Sequence, residues 1–388
     1  MKDKILILAA DLEQVLPIAK SLYDKGFEIH GIFSSKLSYG YGSRYIKRKY
    51  IHQNAVEIED YYLFIKSVLQ KERYVSIIPM RDSAAEVMCK YRDDLLQYTA
   101  YVMPDADGFE RGFDKQRLME VCKMHGYPHP ETYIVRNGSL CGLDIEEIRY
   151  PVLIKPNHTF GARGMTLCRN KDELEKKYPI IFNQFGECHL QTYIPEGGHQ
   201  VEVQIYINEK QELVQSSVIK KFRWYPNKGG SSCCNISCKN EKIVDICYKV
   251  LKSIGWVGFA DFDTIEDPRT GELLIMEINP RVPACVKSAF ASGIDWADVI
   301  VGEYLKKSHK VYQMNREVYL RFLGVEVLWF LKSENKWHTK PNWFNFFGKD
   351  IFYQDMSDWT DPMPFIRGTI GNIKKQLSPE FRKSKAGV

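Results

Sequence analysis

The chain has 388 residues, 44% hydrophobic, 27% charged and 13% aromatic, with 54 basic against 49 acidic residues. It is too long for one ordinary domain, and its charge is too evenly balanced for the basic footprint of a nucleic-acid binder, so two or three domains and no nucleic-acid partner are expected. No apolar run reaches the roughly 18 residues of a membrane span, and the longest candidate, Tyr319 to Leu331, is broken by Arg321 and Glu326.

The first ten residues place two lysines before a short apolar stretch that Asp11 ends too early for a signal-peptide core, so a cytoplasmic location with reduced cysteines is expected. Cys233, Cys234 and Cys238 are the only cysteine cluster in the sequence. No Cys or His pair lies near enough to close a tetrahedral site, and buried thiols are the better reading.

From Lys4 the pattern reads strand, helix, strand. Ile5 to Ala10 is continuously apolar, as in a strand covered on both faces. Asp11 with Gln14 predicts a helix start, Val15, Ile18, Ala19 and Leu22 recur at helical spacing, and Gly26 is a suitable stop. Phe27 to Phe33 and Tyr74 to Pro79 predict further strands. Ser83 with Glu86 predicts a capping box and a helix to about Tyr98, followed by a short strand at Tyr101 to Met103. Alternation of this kind predicts a Rossmann-like parallel α/β domain over residues 1–113. Its first turn, Ala9-Ala10-Asp11-Leu12-Glu13, lacks the glycines of a dinucleotide site and carries two acids that would repel phosphate.

A second unit starts at Asp114, which can cap a helix ending at Gly126. The strand Val152-Leu153-Ile154-Lys155 ends in a lysine and leads into a loop holding Gly161, Arg163 and Gly164, a pattern that could hold polyphosphate on backbone amides and cations. In Ile219 to Pro226, alternation puts Lys221 and Arg223 on one face, either turned into a cleft or on a solvated strand edge. Most pointed is Leu274-Ile275-Met276-Glu277-Ile278-Asn279-Pro280-Arg281. On a strand, Glu277 and Asn279 share a face, and a carboxylate and an amide oxygen beside a guanidinium suit Mg²⁺ carrying phosphate. The preceding run Gly258 to Asp263 reads as the partner of a hairpin turning at Asp267 to Gly271, with Asp263 opposite Glu277 and Asp261 left as a solvated surface residue.

In this order along the chain, these motifs resemble the ATP-grasp superfamily over residues 114 to 305, and the acidic hairpin is most similar to D-aspartate ligases and related carboxylate–amine ligases. The resemblance implies an ATP-grasp domain at 114–308, with a lid at about 150–198. In it Lys115 and Lys155 contact nucleotide phosphates, and the loop Asn157 to Met165 closes over them. It further implies a hinge, Gln191-Thr192-Tyr193-Ile194, that recognises adenine, and a ribose contact from His199 or Gln200. Asp263, Glu277 and Asn279 would hold Mg²⁺ or Mn²⁺, two ions in all, and Arg281, with Lys221 and Arg223, would meet the transferred phosphoryl group. Gln191 stands where glutamate is common, and His199 or Gln200 replaces the more usual acid at the ribose. The implied activity is ligation of a small carboxylate to an amine by a homodimeric enzyme. A bicarbonate-activating carboxylase or carbamoyl-phosphate type enzyme and a non-catalytic nucleotide-binding module are the competing readings.

Residues 309–388 carry 13 basic against 8 acidic residues, which accounts for the whole net charge of +5, and four of the seven tryptophans. The expectations for this basic, Trp-rich accessory region are closure over substrate, docking of a subunit, peripheral contact with an anionic membrane, or a small domain cored by aromatics. Its last residues, Lys383 to Val388, read as a frayed tail.

Overall fold

Three sheets order the chain, in a computed structural model that describes residues 2–158, 163–225, 231–334, 336–356 and 358–378. The first comprises β1 (Lys4–Leu8), β2 (Glu28–Phe33), β3 (Ile46–Ile51) and β4 (Ser76–Pro79), all parallel in the order β3-β2-β1-β4. Ile5, Leu6, Ile7 and Leu8 are fully buried, as the continuous apolar run requires of a strand with helices on both faces.

Local details differ from the expected elements for identifiable reasons. The first helix begins at Val15, and Asp11 does not cap it: its carboxylate accepts from the backbone N–H groups of Ser34 and Ser35 and closes the turn after β2. The helix Asp82–Lys90 has no side-chain cap and breaks at Tyr91, so only the separate turn Arg92–Leu95 continues toward Tyr98. Tyr101 to Met103 is buried but forms no strand, because pairing with β4 is limited to one bridge between Ser76 and Ala100.

The second sheet is small: β5 (Thr132–Tyr133), β6 (Val152–Pro156), β7 (Thr166–Cys168) and β8 (Cys188–Thr192), ordered β5-β8-β6-β7. It keeps its own core, in which Val152, Ile154, Cys168 and Leu190 pack with Leu174 and Tyr178 of the helix Lys171–Phe185. The third sheet has seven strands: β9 (Gln200–Ile207), β10 (Leu213–Tyr225), β11 (Ser231–Cys238), β12 (Gly258–Glu266), β13 (Leu273–Asn279), β14 (Tyr319–Arg321) and β15 (Ile351–Tyr353). Its order is β13-β12-β9-β10-β11-β14-β15, and its core merges with that of the first sheet.

The last fifth of the chain is therefore not a detached appendage. β14 pairs with β11, and β15 extends the same sheet. The helix Met363–Leu377 returns to the first sheet's side, packing on the short helix Tyr39–Gly42. Phe330, Trp337, Trp343, Phe344 and Phe346 pack on one another, with the rings of Phe330 and Trp343 stacked at 4.2 Å. Cys233 and Cys234 are buried on β11, where burial pushes the Cys234 thiol up to about 12. Among the described residues, no helix is long and apolar enough to cross a membrane.

Candidate functional site

The acidic hairpin of β12 and β13 builds the floor of the site. In its register Asp261 faces Asn279 and Asp263 faces Glu277, with a shift just after Asp263. On the other side of β12, β9 sets Glu202 opposite Asp263 and Gln204 opposite Asp261. Strand alternation thus crowds four acids and two amides on one face. Asp261 corrects the expectation of a solvated residue: it is 1% exposed, and its Oδ1 has no partner. Burial holds its carboxyl far above the ordinary range, and Glu202 and Asp263 add to that.

Cations close around this floor. Lys221 Nζ lies 2.6 Å from Glu202 and 2.9 Å from Asp263 Oδ1. Burial works against the Asp263 carboxylate, but Lys221 together with Glu277 and Arg281 keeps that pKa below the ordinary value. Burial also opposes the charged form of Lys221, yet Asp263 and Glu202 hold its ammonium well above the usual lysine range. Lys115 Nζ is 3.3 Å from Glu277 Oε2, and Asp114 places it by capping the helix Lys115–His125 through the N–H of Arg117 at 2.8 Å. Arg281 projects past the end of β13, donating from Nη2 to Asn279 Oδ1 at 3.2 Å and from Nε to Asp82 Oδ1 at 3.1 Å.

Across the cleft, Lys155 near the end of β6 is buried and bonded to Gln191 Oε1 on β8. Burial lowers its ammonium to about 8; Glu277 acts against that shift and Lys115 with it. Beside it the buried His189 shares a hydrogen bond with Asn157, and burial presses its pKa down to about 3. Gly161 lies outside the described residues. Gly164 adopts φ +74°, a left-handed backbone that only glycine takes easily, and Arg163 is exposed. Further along the hinge, Thr192 N–H is bonded to Glu131 and Tyr193 N–H to Pro151, while Ile194 is buried. The His199 N–H donates to Glu266 Oε2 and its carbonyl accepts from the Glu266 N–H, and Gln200 pairs with Ile265 and Lys221 at the start of β9.

Arg223 is held away from this floor. A register shift between Lys221 and Arg223 breaks their common face, and Arg223 donates from Nε to Glu326 at 2.8 Å and from Nη1 to the Pro341 carbonyl at 2.7 Å. No local pattern singles out Glu202, whose acidic side chain sits on a strand legible only as part of a sheet. Cys285 donates to Glu202, and the two meet the hairpin only through long-range contacts.

The donor set fits a hard divalent cation. Asp263, Glu277 and Asn279 offer oxygens from adjacent strands, Asp261 keeps a buried oxygen without a partner, and facing carboxylates repel unless a cation lies among them. The family model for the carbamoyl-phosphate synthase L chain, ATP binding domain, matches residues 114–305, which include every residue of this constellation except Asp82. The chain carries an ATP-grasp domain. The ATP-grasp family binds ATP with Mg²⁺.

Among similar proteins is the D-aspartate ligase of Enterococcus faecium, 27% identical over 243 residues that make up 56% of this chain and 58% of that one. The chain thus matches little more than half the length of this relative. In fold it is similar to the biotin carboxylase of Campylobacter jejuni, with a TM-score of 0.68, 18% identity, and coverage of 81% of this chain and 74% of that one. It is also similar to the L-amino acid ligase of Bacillus licheniformis, with a TM-score of 0.63, 13% identity, and coverage of 82% and 79%. The seven-stranded sheet carries the acidic hairpin, and the small sheet carries Lys155 and Gln191.

Proposed function

We propose that this protein is an ATP- and Mg²⁺-dependent ligase that joins a carboxylate to an amine through an acyl phosphate. The observation that carries the reading is the pairing of Asp263 with Glu277, flanked by Asn279 and bracketed by Lys221, Lys115 and Arg281. Asp263, Glu277 and Asn279 would hold two Mg²⁺ ions, which supply charge neutralisation at the phosphates when bound.

The chain's own groups account for the remaining work. Lys115 and Lys155 hold the nucleotide phosphates, while Gln191 to Ile194 seat the adenine and His199 or Gln200 the ribose. Arg281, oriented by Asp82 and Asn279, meets the transferring phosphoryl group, and Lys221 adds positive charge beside it. A substrate carboxylate oxygen attacks the γ-phosphorus and the bond to the β-phosphate oxygen breaks, giving ADP and an acyl phosphate. The amine then adds to the activated carbonyl, phosphate leaves, and the amine proton passes to solvent or phosphate. No protein nucleophile is needed. The separately cored small sheet with the loop from Asn157 to Met165 would serve as the lid that keeps water from the acyl phosphate. A cytoplasmic homodimer is the form in which this reading places the enzyme.

The fold likeness to biotin carboxylase favours one second reading, activation of bicarbonate. ADP release measured over a panel of small carboxylates, amino acids and bicarbonate separates the two. Release that requires Mg²⁺, a carboxylate and an amine together is the expected result. Release with bicarbonate alone supports the carboxylase reading, and nucleotide binding without turnover on any combination overturns both in favour of a regulatory module.

A further inference from the structure

The helix Met363–Leu377 has two opposite faces with different fates. On one, Pro364 and Gly368 are buried against the first sheet's side: a side chain at Gly368 would lie 2.2 Å from Tyr39, and one at Gly371 would lie 2.1 Å from the Leu37 carbonyl. Only glycine permits so close an approach, so the rotation of the helix is fixed. On the other face Met363, Ile366, Ile370, Ile373 and Leu377 are each 40–63% exposed. Their spacing of three, four, three and four residues draws a straight apolar stripe, and at 100° per residue it lies opposite the packed face. Arg367 and Lys374 flank one side of the stripe.

Trp359, just before this helix, is 92% exposed. Its position is set from both sides. Asp358 accepts from Tyr45 Oη at 2.5 Å, and Asp361 accepts from Ser43 Oγ at 2.8 Å and from the Arg44 N–H at 3.1 Å. A tryptophan held outward by ordered neighbours, next to an apolar helical stripe, is an arrangement that water disfavours and a bilayer interface rewards.

We infer that this face binds the surface of an anionic lipid bilayer, with the stripe and Trp359 entering the headgroup boundary and the basic side chains meeting lipid charge. Charge decides between this occupant and a second copy of the chain. The helix contains no acidic residue, so two copies pairing through it would set Arg367 and Lys374 of one near those of the other with no opposite charge to meet them. Its two heptads also offer too little area for a stable interface by themselves. The basic excess of residues 309–388, which includes three basic against one acidic residue in the ten that follow Ser378, is complementary to anionic lipid.

Flotation of the full-length protein with vesicles tests this. Binding is expected to phosphatidylcholine vesicles containing phosphatidylglycerol, weakening with added salt and at least roughly tenfold weaker with phosphatidylcholine alone. Ile370→Glu with Ile373→Glu changes only exposed positions; it is expected to lower binding at least roughly tenfold with the melting curve unchanged. Trp359→Ala is expected to weaken binding in the same direction, which keeps the test independent of the helix. Equal binding by the wild type and the double variant overturns the inference, as does failure to bind anionic vesicles. So does a concentration-dependent dimer that the double variant dissolves and that binds no vesicle.

Discussion

Glu277→Gln is expected to leave a folded protein whose ATP turnover is at least roughly 10²–10³-fold slower than that of the wild type. Glutamine preserves the size of the side chain and its place opposite Asp263. What it removes is charge: one of the two carboxylates facing each other across the hairpin and the partner of Lys115 at 3.3 Å. Loss of a hard oxygen anion weakens divalent-cation binding directly, because such ions bind by charge and oxygen count. Asn279→Ala in parallel removes the neutral ligand and the Arg281 contact at 3.2 Å, and is expected to act in the same direction. ADP release checks both, with far-ultraviolet circular dichroism and urea unfolding as controls for the fold. Near wild-type activity in either variant means the metal ligands have been wrongly assigned.

The largest stability effect is expected at Glu326, far from that chemistry. This carboxylate is fully buried between two guanidiniums, accepting from Arg223 Nε at 2.8 Å and from Arg321 Nε at 2.5 Å. The outer faces of both arginines are tied to carbonyls of the C-terminal segment: Arg223 to Pro341, and Arg321 to Trp343 and Asn345. Glu326→Ala strands two buried cations and is expected to cost about 3–5 kcal/mol, read as a lower urea midpoint. Replacing all three residues by apolar ones of similar volume removes the stranded charges, and is expected to restore most of that loss. A single variant with an unchanged midpoint would show that the network does not hold the C-terminal strands in place.

That network also marks the limit of what could be read in the sequence. The parallel first sheet was legible because Ile5 to Leu8 is continuously apolar, and the acidic hairpin because Glu277 and Asn279 alternate with Ile278 and Met276 beside an obvious turn. In both cases the signal is local. Arg223 was misplaced because a register shift after Lys221 changes which face it shares, and nothing in the alternation announces such a shift. The burial of Asp261 is not legible because one strand cannot reveal that Glu202 and Gln204 of β9 lie on its far side. The strands of the last fifth are not legible because β14 and β15 are three residues each, too short for any periodicity to show. Their place in the sheet is set by pairing with β11 and by the buried charges behind it.

Acyl-phosphate chemistry can be followed through the oxygen of the carboxylate. With a substrate from the ADP-release panel labelled with ¹⁸O in its carboxylate, a reaction through an acyl phosphate leaves one labelled oxygen in the released phosphate, because the amine breaks the carbon–oxygen bond. Phosphate carrying a single ¹⁸O, formed together with ADP and amide in equal amounts, is the predicted result. Unlabelled phosphate released at the full rate would rule out an acyl phosphate, since water would then be the group that attacks ATP.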